Sequence, residues 1–483
     1  MTMSLLKVVS EQKPRQIAIR VLKERLLEQD YTENLFEREL SNHRLPAVDR
    51  GLCQELVYGI ARWQMTLDWL IARKTEGRTQ KDELRLLLQL GLYQMFWLDR
   101  IPNHAAVHET VELAKQLGLG PQAGFVNAVL RAYTRERVET EKLLSDLKIS
   151  QPALGYSHPD WLYQRWLARW GAEKSAQLMQ SNNTPPPTFA RINLLKTDAA
   201  KLAAQWDAEH VKFAARSWDW TNAVGVTSAV FPLAPTGGEG RGGGAGQESS
   251  AIQSNPEAAS ALPSPSLVFQ LDSHPPLAEL RSFKDGWFYI QDPSTLLAVQ
   301  MLDPKPGQSI LDLCAAPGGK TTFIAQLMQN RGRITAQDAQ ADRLGLIREN
   351  CVRLGVICVE ASVAPQGIIP NPAKKFDRVL VDAPCSNTGV MRRRVDLRWR
   401  ICAEELERLR AGQLDLLRQA APRLKPGGVL VYSTCSLEPE ENGEVIKQFL
   451  AEHPKFSLES ERELLPFTDG VDGAYVAKLK NSA

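Results

Sequence analysis

In the second half of the chain, short apolar runs alternate with stretches whose apolar residues recur at helical spacing. The runs predict buried strands at 309–313, 333–337, 356–359, 376–385 and 427–435. Helices are predicted between them at 320–329 and along the stripe formed by Leu344, Ile347, Cys351 and Leu354. Strands and helices that alternate in this way are typical of a doubly wound α/β fold with a parallel sheet.

The first 140 residues predict an all-helical domain. Two of its apolar stripes are formed by Ala18, Val21, Leu22 and Leu26 and by Val126, Val129, Leu130 and Tyr133. Apolar residues at this spacing bury one face of each helix, so we expect these stripes to form a core and not a binding site.

Composition changes at about 235–265, where Gly, Ser, Pro and Ala predominate and apolar residues are few. Such a segment buries too little apolar surface to fold, so we expect a disordered insertion. Over the whole chain the apolar fraction of 43% supports globular cores, and 483 residues are enough for about three domains.

Charge and cysteine usage narrow the class of protein. The net charge is only +2, so affinity for a polyanion would depend on local basic patches. The apolar runs are shorter than the roughly eighteen residues of a membrane helix, and residues 1–10 lack a long apolar secretory core. The seven cysteines include no Cys-x-x-Cys pair, which argues against a zinc site and a disulfide framework. We therefore expect a cytoplasmic protein with free thiols and without a membrane segment or a metal.

The turn at 314–320, with the sequence Cys-Ala-Ala-Pro-Gly-Gly-Lys, joins a predicted strand to a predicted helix. Gly318 and Gly319 allow backbone N–H groups to approach a ligand, and the helix presents its positive end to the same place. A P-loop would need Gly at position 314, where this chain has Cys, and the three-glycine dinucleotide fingerprint is absent. A turn that only packs remains an alternative. As a binding turn, it best fits an adenosine-containing cofactor.

Asp338 ends the next predicted strand, about twenty residues after the turn. An acidic side chain at this position of such folds accepts hydrogen bonds from ribose hydroxyls. An Asp at a strand end is also often only a helix N-cap, and the sequence leaves both readings open. The glycine turn favours the ribose contact.

Two later strands each end in a cysteine, one as Asp-Ala-Pro-Cys at 382–385 and the other as Ser-Thr-Cys at 433–435. If these strands are adjacent and parallel, their carboxyl ends lie roughly 5 Å apart. Asp382, Cys385 and Cys435 would then share one rim with the glycine turn, where ligands bind. A lone buried cysteine is usually a small core residue, but two at equivalent strand ends beside an acid indicate chemistry.

These motifs together resemble the RNA cytosine-5 methyltransferases that use S-adenosylmethionine. The resemblance covers about 285–480 and includes Gln-Asp-Pro-Ser at 291–294, Ser-Thr-Cys-Ser at 433–436 and Pro-Glu-Glu-Asn at 439–442. It implies a Rossmann-like class I methyltransferase domain at 285–483. Because a DNA-type enzyme would place its nucleophile in the Pro-Cys motif, the presence of both cysteines points to RNA.

By this resemblance Cys435 is the nucleophile that adds to carbon 6 of cytosine. Asp382 would hydrogen-bond the base near N3, and Cys385 would assist removal of the carbon 5 proton. The residues implied for the cofactor are Cys314, Ala315, Ala316, Pro317, Gly318, Gly319, Lys320, Asp338 and Asp382. Lys320 would fix the loop and the neighbouring carboxylate, and its charge could favour a nearby thiolate, although a solvated lysine is an equal alternative.

One position departs from the family pattern. Members usually carry Asp near the end of the third strand, where it meets the adenine amino group, and Ser362 stands there in this chain. Ser362 could still accept a hydrogen bond, and Glu360 could serve if the register slips by two residues. We expect cofactor binding to persist.

The N-terminal part also resembles known domains. Residues 101–110 and 124–131 resemble the helical RNA-binding domain of the NusB family, which implies such a domain at 1–140. Residues 157–162 and 184–193 match a small α+β module, which we place at 141–284. This arrangement resembles the bacterial 16S ribosomal RNA methyltransferases of the RsmB (Fmu/Sun) group. It implies 16S RNA as the partner, as naked or early-assembly RNA, and a monomer is our default expectation.

Several side chains are candidates for contacts with RNA. The arginines at 392–394, with Arg398 and Arg400, closely follow Cys385 and could meet phosphates that flank a target base. Arg191 and Asn193 are weaker candidates. The helical domain adds Arg15, Arg20, Lys23, Arg62, Arg73 and Lys74. Runs of charged residues are usually solvent-exposed surface, so it stays open that these cations face solvent and do not contact RNA.

The favoured function is therefore methylation of carbon 5 of a cytosine in 16S RNA. One alternative is a transfer RNA cytosine-5 methyltransferase with the same catalytic domain. Another is a non-catalytic antitermination or assembly factor whose methyltransferase domain is degenerate, for which Ser362 is slight support. Retention of Cys385, Cys435, Asp382 and the glycine turn favours an enzyme.

Overall fold

The computed structural model describes residues 13–482, except 29, 42, 44, 218–266 and 365–373. The predicted insertion at 235–265 and the residues 1–10 lie outside the described residues. The chain divides into two compact units, of which the first comprises Met1–Pro185 and Met391–Ile401, and the second comprises Pro186–Val390 and Cys402–Ala483. Within the described ranges, every helix is too short or too polar to cross a membrane.

The first unit is helical, as its apolar stripes predict. Its helices are α1 (Pro14–Leu27), α2 (Thr32–Ser41), α3 (Ala47–Lys74), α4 (Asp82–Trp97), α5 (Asn103–Gln116), α6 (Gly120–Arg135), α7 (Arg137–Ser150), α8 (Pro152–Gly155) and α9 (Asp160–Asn183). Both predicted stripes join one apolar core, with Leu26 only partly buried at its edge. This arrangement follows from the 3.6-residue period, which places the apolar side chains of each helix on one face.

Four of the six candidate cations of the helical domain are buried or paired with carboxylates. Arg62 is only 4% exposed, so the expected phosphate contact of this residue is wrong. Arg20 and Lys23 form ion pairs with Glu39 and Glu83. Lys74 pairs with Glu136, with 2.6 Å between Nζ and Oε2. Carboxylates thus neutralise much of the charge that the sequence made available for RNA.

Within its described residues, the second unit contains eleven strands in two sheets. They are β1 (Thr188–Ile192), β2 (Lys212–Ser217), β3 (Leu267–Ser273), β4 (Phe288–Ile290), β5 (Ser309–Leu313), β6 (Arg333–Asp338), β7 (Val359–Val363), β8 (Phe376–Asp382), β9 (Leu424–Thr434), β10 (Phe456–Leu464) and β11 (Ala474–Asn481). Its helices are α10 (Ala199–Ala208), α11 (Arg281–Lys284), α12 (Ser294–Leu302), α13 (Gly319–Leu327), α14 (Leu344–Leu354), α16 (Ala403–Ala420), α17 (Gly443–Glu452) and α18 (Pro466–Asp469).

The small sheet is antiparallel in the order β2-β3-β1-β4. Its core surrounds the fully buried Trp206 of α10, whose ring contacts Phe213, Phe269 and Phe288. Edge-to-face contacts between aromatic rings stabilise such a core beyond the area that they bury. The α+β character expected for this part of the chain is therefore present.

The large sheet has the order β10-β11-β9-β8-β5-β6-β7. Strands β5 to β9 pair in parallel, and β10 and β11 form an antiparallel edge. Successive residues of β5 enter cores on opposite faces, Ile310 with α13 and α14 and Leu311 with α16 and α17. Burial on both faces explains why these strands read as continuous apolar runs. The doubly wound fold that we predicted is confirmed.

One predicted strand is displaced. The apolar run at 356–359 is mostly a connection, and the strand β7 follows it at Val359–Val363. Gly355 ends α14 in the left-handed conformation, with φ of +70°, and Val356 then packs into the core. The first residue of the run packs against the helices, and sequence periodicity does not distinguish such a residue from part of a buried strand.

The segment Met391–Ile401 belongs to the first unit although it closely follows the Asp-Ala-Pro-Cys motif at 382–385 in the chain. It contains the short helix α15 (Leu397–Arg400). The guanidinium of Arg398 is fully buried and donates to the carbonyl oxygens of Ser157 and Asn182. Its NH1 group also lies 2.8 Å from Oδ1 of Asn183. The expected RNA contact of Arg398 is therefore wrong, because this cation satisfies backbone carbonyls inside the fold.

Candidate active site

The glycine turn lies at the carboxyl end of β5, as predicted. Cys314 and Gly318 both adopt left-handed backbone conformations, with φ of +59° and +100°. A Cβ on Gly318 would also lie a tight 3.3 Å from Cα of Ile347, so both the backbone conformation and the space favour glycine here. Helix α13 begins at the next residue, so its first N–H groups, which have no partner within the helix, adjoin the turn.

Asp338 ends β6 beside this turn. Its carboxylate accepts hydrogen bonds from the backbone N–H groups of Ala316 and Gln340, both at 3.1 Å. Arg343 donates to the Ala316 carbonyl at 2.9 Å. The side chain thus holds the turn and still has acceptor lone pairs for a ribose hydroxyl. It is not a helix N-cap, because the next two helical segments have Gln340 and Arg343 at their N-cap positions. Its contact with ribose stays a prediction.

The thiol of Cys314 is not a nucleophile candidate. Burial, with smaller contributions from nearby carboxylates, raises its pKa to about 12. A thiol that stays protonated neither attacks nor ligates, which agrees with the expectation that this residue serves the cofactor through its backbone.

The two alternatives for the adenine contact are placed differently. Ser362 stands opposite Gln337 in the β6–β7 pairing, near the carboxyl end, and its Oγ lies 3.4 Å from Nε2 of Gln337. Glu360 stands opposite Thr335, nearer the amino end, and forms an ion pair with Arg333 in which both side chains are more than half exposed. The slipped register that would have used Glu360 is therefore wrong. The adenine contact of Ser362 stays a prediction.

The two cysteines at the strand ends meet. Strands β8 and β9 are parallel neighbours with Asp382 opposite Ser433, and the sulfur atoms of Cys385 and Cys435 lie 3.3 Å apart. Cys385 is 7% exposed, whereas Cys435 is more accessible. The hydrogen bond with Cys435, together with burial, raises the pKa of Cys385 well above the usual thiol value. Cys385 is thus held as a neutral thiol beside the more accessible sulfur.

Asp382 is held from both sides. Nζ of Lys320 lies 2.7 Å from Oδ2 of Asp382, and the Ser433 hydroxyl donates to Oδ1 at 2.8 Å. Burial opposes the charge on Lys320, but the Asp382 carboxylate outweighs this effect and raises the pKa of Lys320. The expectation that this lysine fixes the neighbouring carboxylate is confirmed, and the solvated alternative is wrong.

Asn387 is a site residue that sequence reasoning missed. The Cys435 thiol lies 2.9 Å from its Oδ1, and its Nδ2 donates to the Cys385 carbonyl at 2.7 Å. It adopts φ of +58°, a conformation that Asn tolerates better than most residues. Its position two residues after the Asp-Ala-Pro-Cys motif was the available signal.

Arg191 and Asn193 are buried, so their expected RNA contacts are wrong. Arg191, which is 2% exposed, donates to the Gly319 carbonyl at 2.9 Å and to Thr322 Oγ1 at 3.1 Å. Asn193 donates to the carbonyls of Gly286 and Leu354, both at 2.8 Å. Arg191 therefore anchors the small sheet to the start of α13, beneath the predicted cofactor turn.

Asp312 on β5 provides a test of the electrostatics beneath the turn. It is fully buried, Thr321 donates to its Oδ2 at 2.6 Å, and its Oδ1 has no hydrogen-bond partner among the described residues. Burial raises the pKa of Asp312 to about 7. An acid with a folded-state pKa above its unfolded value of about 3.9 favours folding while protonated. Its contribution to stability is complete below pH 4 and is lost as the pH rises towards 7.

We therefore expect Asp312→Asn to reduce the pH dependence of unfolding. Between pH 5 and pH 8 the wild-type free energy of unfolding should fall by about 2 kcal/mol more than that of the variant. Urea unfolding at the two pH values measures this difference. Equal slopes for the two proteins would contradict the prediction.

Among the described residues, no three His, Cys, Asp or Glu side chains are grouped as metal ligands. The described cysteines are all free. The functional groups at this rim are thus two thiols, a carboxylate, an ammonium group and a glycine turn.

Comparison with known proteins finds three family models along this chain. The family model described as 16S rRNA methyltransferase RsmB/F matches residues 299–480. The NusB family model matches 12–135, and a model of an RsmF/B-like ferredoxin-like domain matches 158–230.

Relatives of similar length carry the same kind of name. A Bacillus subtilis (strain 168) protein named probable ribosomal RNA small subunit methyltransferase B is 33% identical, with 96% of this chain and 98% of the relative covered. A Synechocystis sp. (strain ATCC 27184 / PCC 6803 / Kazusa) protein of the same name is 34% identical, with 97% and 99% covered.

The solved structure named PH0851 shares the fold. It is 22% identical, has a TM-score of 0.71 and covers 97% of this chain and 100% of its own. The resemblance inferred from the motifs is confirmed, and with it S-adenosylmethionine as the cofactor. Its predicted seat combines a turn without bulky side chains and a carboxylate at the end of β6, which fits an adenosine-containing cofactor. The chain belongs to the 16S rRNA methyltransferase RsmB/F family of S-adenosylmethionine-dependent enzymes.

Proposed function

We propose that this protein methylates carbon 5 of a cytosine in 16S ribosomal RNA through a covalent adduct between Cys435 and carbon 6 of the base. The observation that carries the proposal is the 3.3 Å contact between the sulfurs of Cys385 and Cys435, beside Asp382 and the glycine turn. The names of the relatives support RNA of the small ribosomal subunit as the substrate.

Covalent catalysis follows from the chemistry of the base. Carbon 5 of cytosine is too weak a nucleophile to take a methyl group directly, so a thiolate must first add to carbon 6 and raise the electron density at carbon 5. Cys435 is the more accessible of the two cysteine residues. Attack on carbon 6 requires a thiolate, which the raised pKa of Cys385 disfavours. We therefore assign Cys385 to the later step, in which its own proton would first pass to solvent so that its thiolate could accept the carbon 5 proton.

The other side chains act on the base and on the proton. Asp382, held by Lys320 and Ser433, would face the N3 edge of cytosine and stabilise the charge that develops during addition. Cys385 would assist loss of the carbon 5 proton, after which the bond between Cys435 and carbon 6 breaks. Attack on the ring face requires the base to leave its stack.

The residues at 314–320 and Asp338 would hold S-adenosylmethionine, which supplies a methyl group on a sulfonium. Asp382 would lie at the same rim, between this seat and the base. The chain itself would orient the methyl donor through the backbone of the turn and through the Asp338 carboxylate.

We expect Asp338→Ala to weaken binding of S-adenosylmethionine at least about tenfold, because the change removes a hydrogen-bonded carboxylate and the cap on the Ala316 N–H. Isothermal titration calorimetry measures the dissociation constant. Asp342→Ala is the matched control, since Asp342 lies four residues later and is exposed. If the two variants bind S-adenosylmethionine with equal affinity, Asp338 does not contribute to the cofactor site.

Methyl transfer to defined RNAs tests the proposal directly. Protein-free 16S RNA should accept radiolabelled methyl groups from S-adenosylmethionine, and mapping should place them on carbon 5 of cytosine. Preferential labelling of transfer RNA would favour the transfer RNA methyltransferase alternative. Absence of transfer to either RNA would favour a non-catalytic assembly factor.

A further inference from the structure

A buried carboxylate lies directly behind the two cysteines. Glu441, fully buried in the turn that precedes α17, accepts from the backbone N–H of Ser386 and from Nε2 of Gln413, both at 2.8 Å. Its other oxygen accepts from the hydroxyls of Ser386 and Ser436, the latter at 2.5 Å. None of the proposed roles uses this side chain, although it belongs to the motif at 439–442.

The two serines connect Glu441 to the two thiols. Ser386 follows Cys385 in the chain, and Ser436 follows Cys435. The two hydroxyl oxygens are 3.0 Å apart, so the serine pair repeats the cysteine pair one residue further along each loop. A single carboxylate thus ties together the loops that carry both reactive sulfurs.

The chemistry of this carboxylate makes the connection rigid. Its four donors are uncharged groups, and a buried carboxylate opposes folding unless its lone pairs are filled. Separating the loops would leave lone pairs empty in the interior. The charge also acts on the site, because it contributes to the raised pKa of Cys385 after the larger effects of Cys435 and burial.

We propose that Glu441 is a positioning residue, whose buried carboxylate holds the Cys385 and Cys435 loops together through Ser386 and Ser436 and so sets the contact between the two sulfurs. A catalytic role for this contact rests on the proposed function, whereas the contact itself does not. Accordingly, one arm of the test needs no RNA.

The first arm measures the geometry with phenylarsine oxide, an arsenic(III) reagent that exchanges its oxygen for two thiols of one protein and releases water. Cys385→Ala defines the signal that comes from other cysteines. Relative to wild type, Glu441→Ala should lower the affinity of the Cys385–Cys435 pair for phenylarsine oxide at least about tenfold, because separated thiols lose the high effective concentration of a preformed pair. Glu441→Gln keeps the side-chain volume and one acceptor oxygen, so its affinity for the arsenical should lie between those of wild type and Glu441→Ala.

The second arm measures catalysis. Glu441→Gln should lower kcat about tenfold or more while KM for S-adenosylmethionine and for RNA changes by less than about twofold, because misplacement of reacting groups affects the chemical step. Glu444→Gln, an exposed glutamate three residues later, is the matched control. Thermal melting of each variant identifies loss of fold, and Ser436→Ala removes one tie without emptying the Glu441 site.

The outcomes separate the two proposals. Wild-type arsenical affinity in Glu441→Ala, or unchanged kcat in Glu441→Gln beside an active wild type, would overturn the role of Glu441. If wild-type protein binds the arsenical through Cys385 and Cys435 yet methylates no RNA, the proposed function fails while the effect of Glu441 on the sulfur pair stands. If Glu441→Ala melts at a lower temperature than wild type, the test uses the arsenical affinities of Glu441→Gln and Ser436→Ala instead. Wild-type affinity in both of these variants would overturn the positioning role of Glu441.

Discussion

Cys435→Ala is expected to abolish methyl transfer, with a loss of at least about 10³-fold in kcat, because the adduct at carbon 6 cannot form without a nucleophile. With RNA that contains 5-fluorocytosine, the wild-type protein should form a complex that survives denaturing electrophoresis. Fluorine at carbon 5 cannot leave as a proton does, so the reaction stops after methyl transfer. The variant should form no such complex.

We propose Cys435, and not its neighbour, as the nucleophile. As a residue, Cys435 is more accessible than Cys385, which is 7% exposed. The hydrogen bond with Cys435 and burial also raise the pKa of Cys385. The matched control is Cys402→Ala, which removes an exposed thiol at the start of α16 and should leave the adduct intact. Persistence of the adduct in Cys435→Ala would show that another residue attacks the base.

Cys385→Ala should have the opposite effect on the covalent complex. Without the group that assists proton loss, the methylated base should remain attached to Cys435, so ordinary RNA and S-adenosylmethionine should give a denaturation-resistant complex. Methyl incorporation should stop at about one equivalent per protein. A time course of radiolabelled transfer, with parallel denaturing gels, measures both quantities.

This result can be separated from damage to the site. The backbone N–H of Cys435 lies 3.3 Å from the Cys385 sulfur, so removal of that sulfur also removes a contact of the nucleophile. Cys385→Ser keeps a hydrogen-bonding group there and should trap less complex than alanine does. The double variant of Cys385 and Cys435 should trap none. Multiple turnovers by Cys385→Ala would exclude the assigned role.

Much of the site was predictable from the sequence because parallel strands bring their carboxyl ends to one edge. Asp382, Cys385, Cys435 and the glycine turn each end a strand that an apolar run reveals, and their motifs are local. The helical domain was predictable for a similar reason, since its apolar stripes report their burial within a single helix.

The cations show where sequence reasoning failed. Arg398 was expected to meet RNA because it closely follows Cys385, and Arg191 was a weaker candidate, yet both are nearly or fully buried. The partner amide of Arg398 on Asn183 lies 215 positions away in the chain, and the Gly319 carbonyl that Arg191 binds lies 128 positions away. No local pattern records which carbonyl groups a folded chain leaves without a donor.

The sequence by itself determined the class of fold, the family and the side chains at the rim, because periodicity and short motifs are properties of neighbouring residues. Only the tertiary structure decided that the two sulfurs touch, that Lys320 holds Asp382 and that Glu441 lies behind both cysteines. These relations depend on strand register and on the burial of charged groups. Both are decided by packing between segments that lie far apart in the chain.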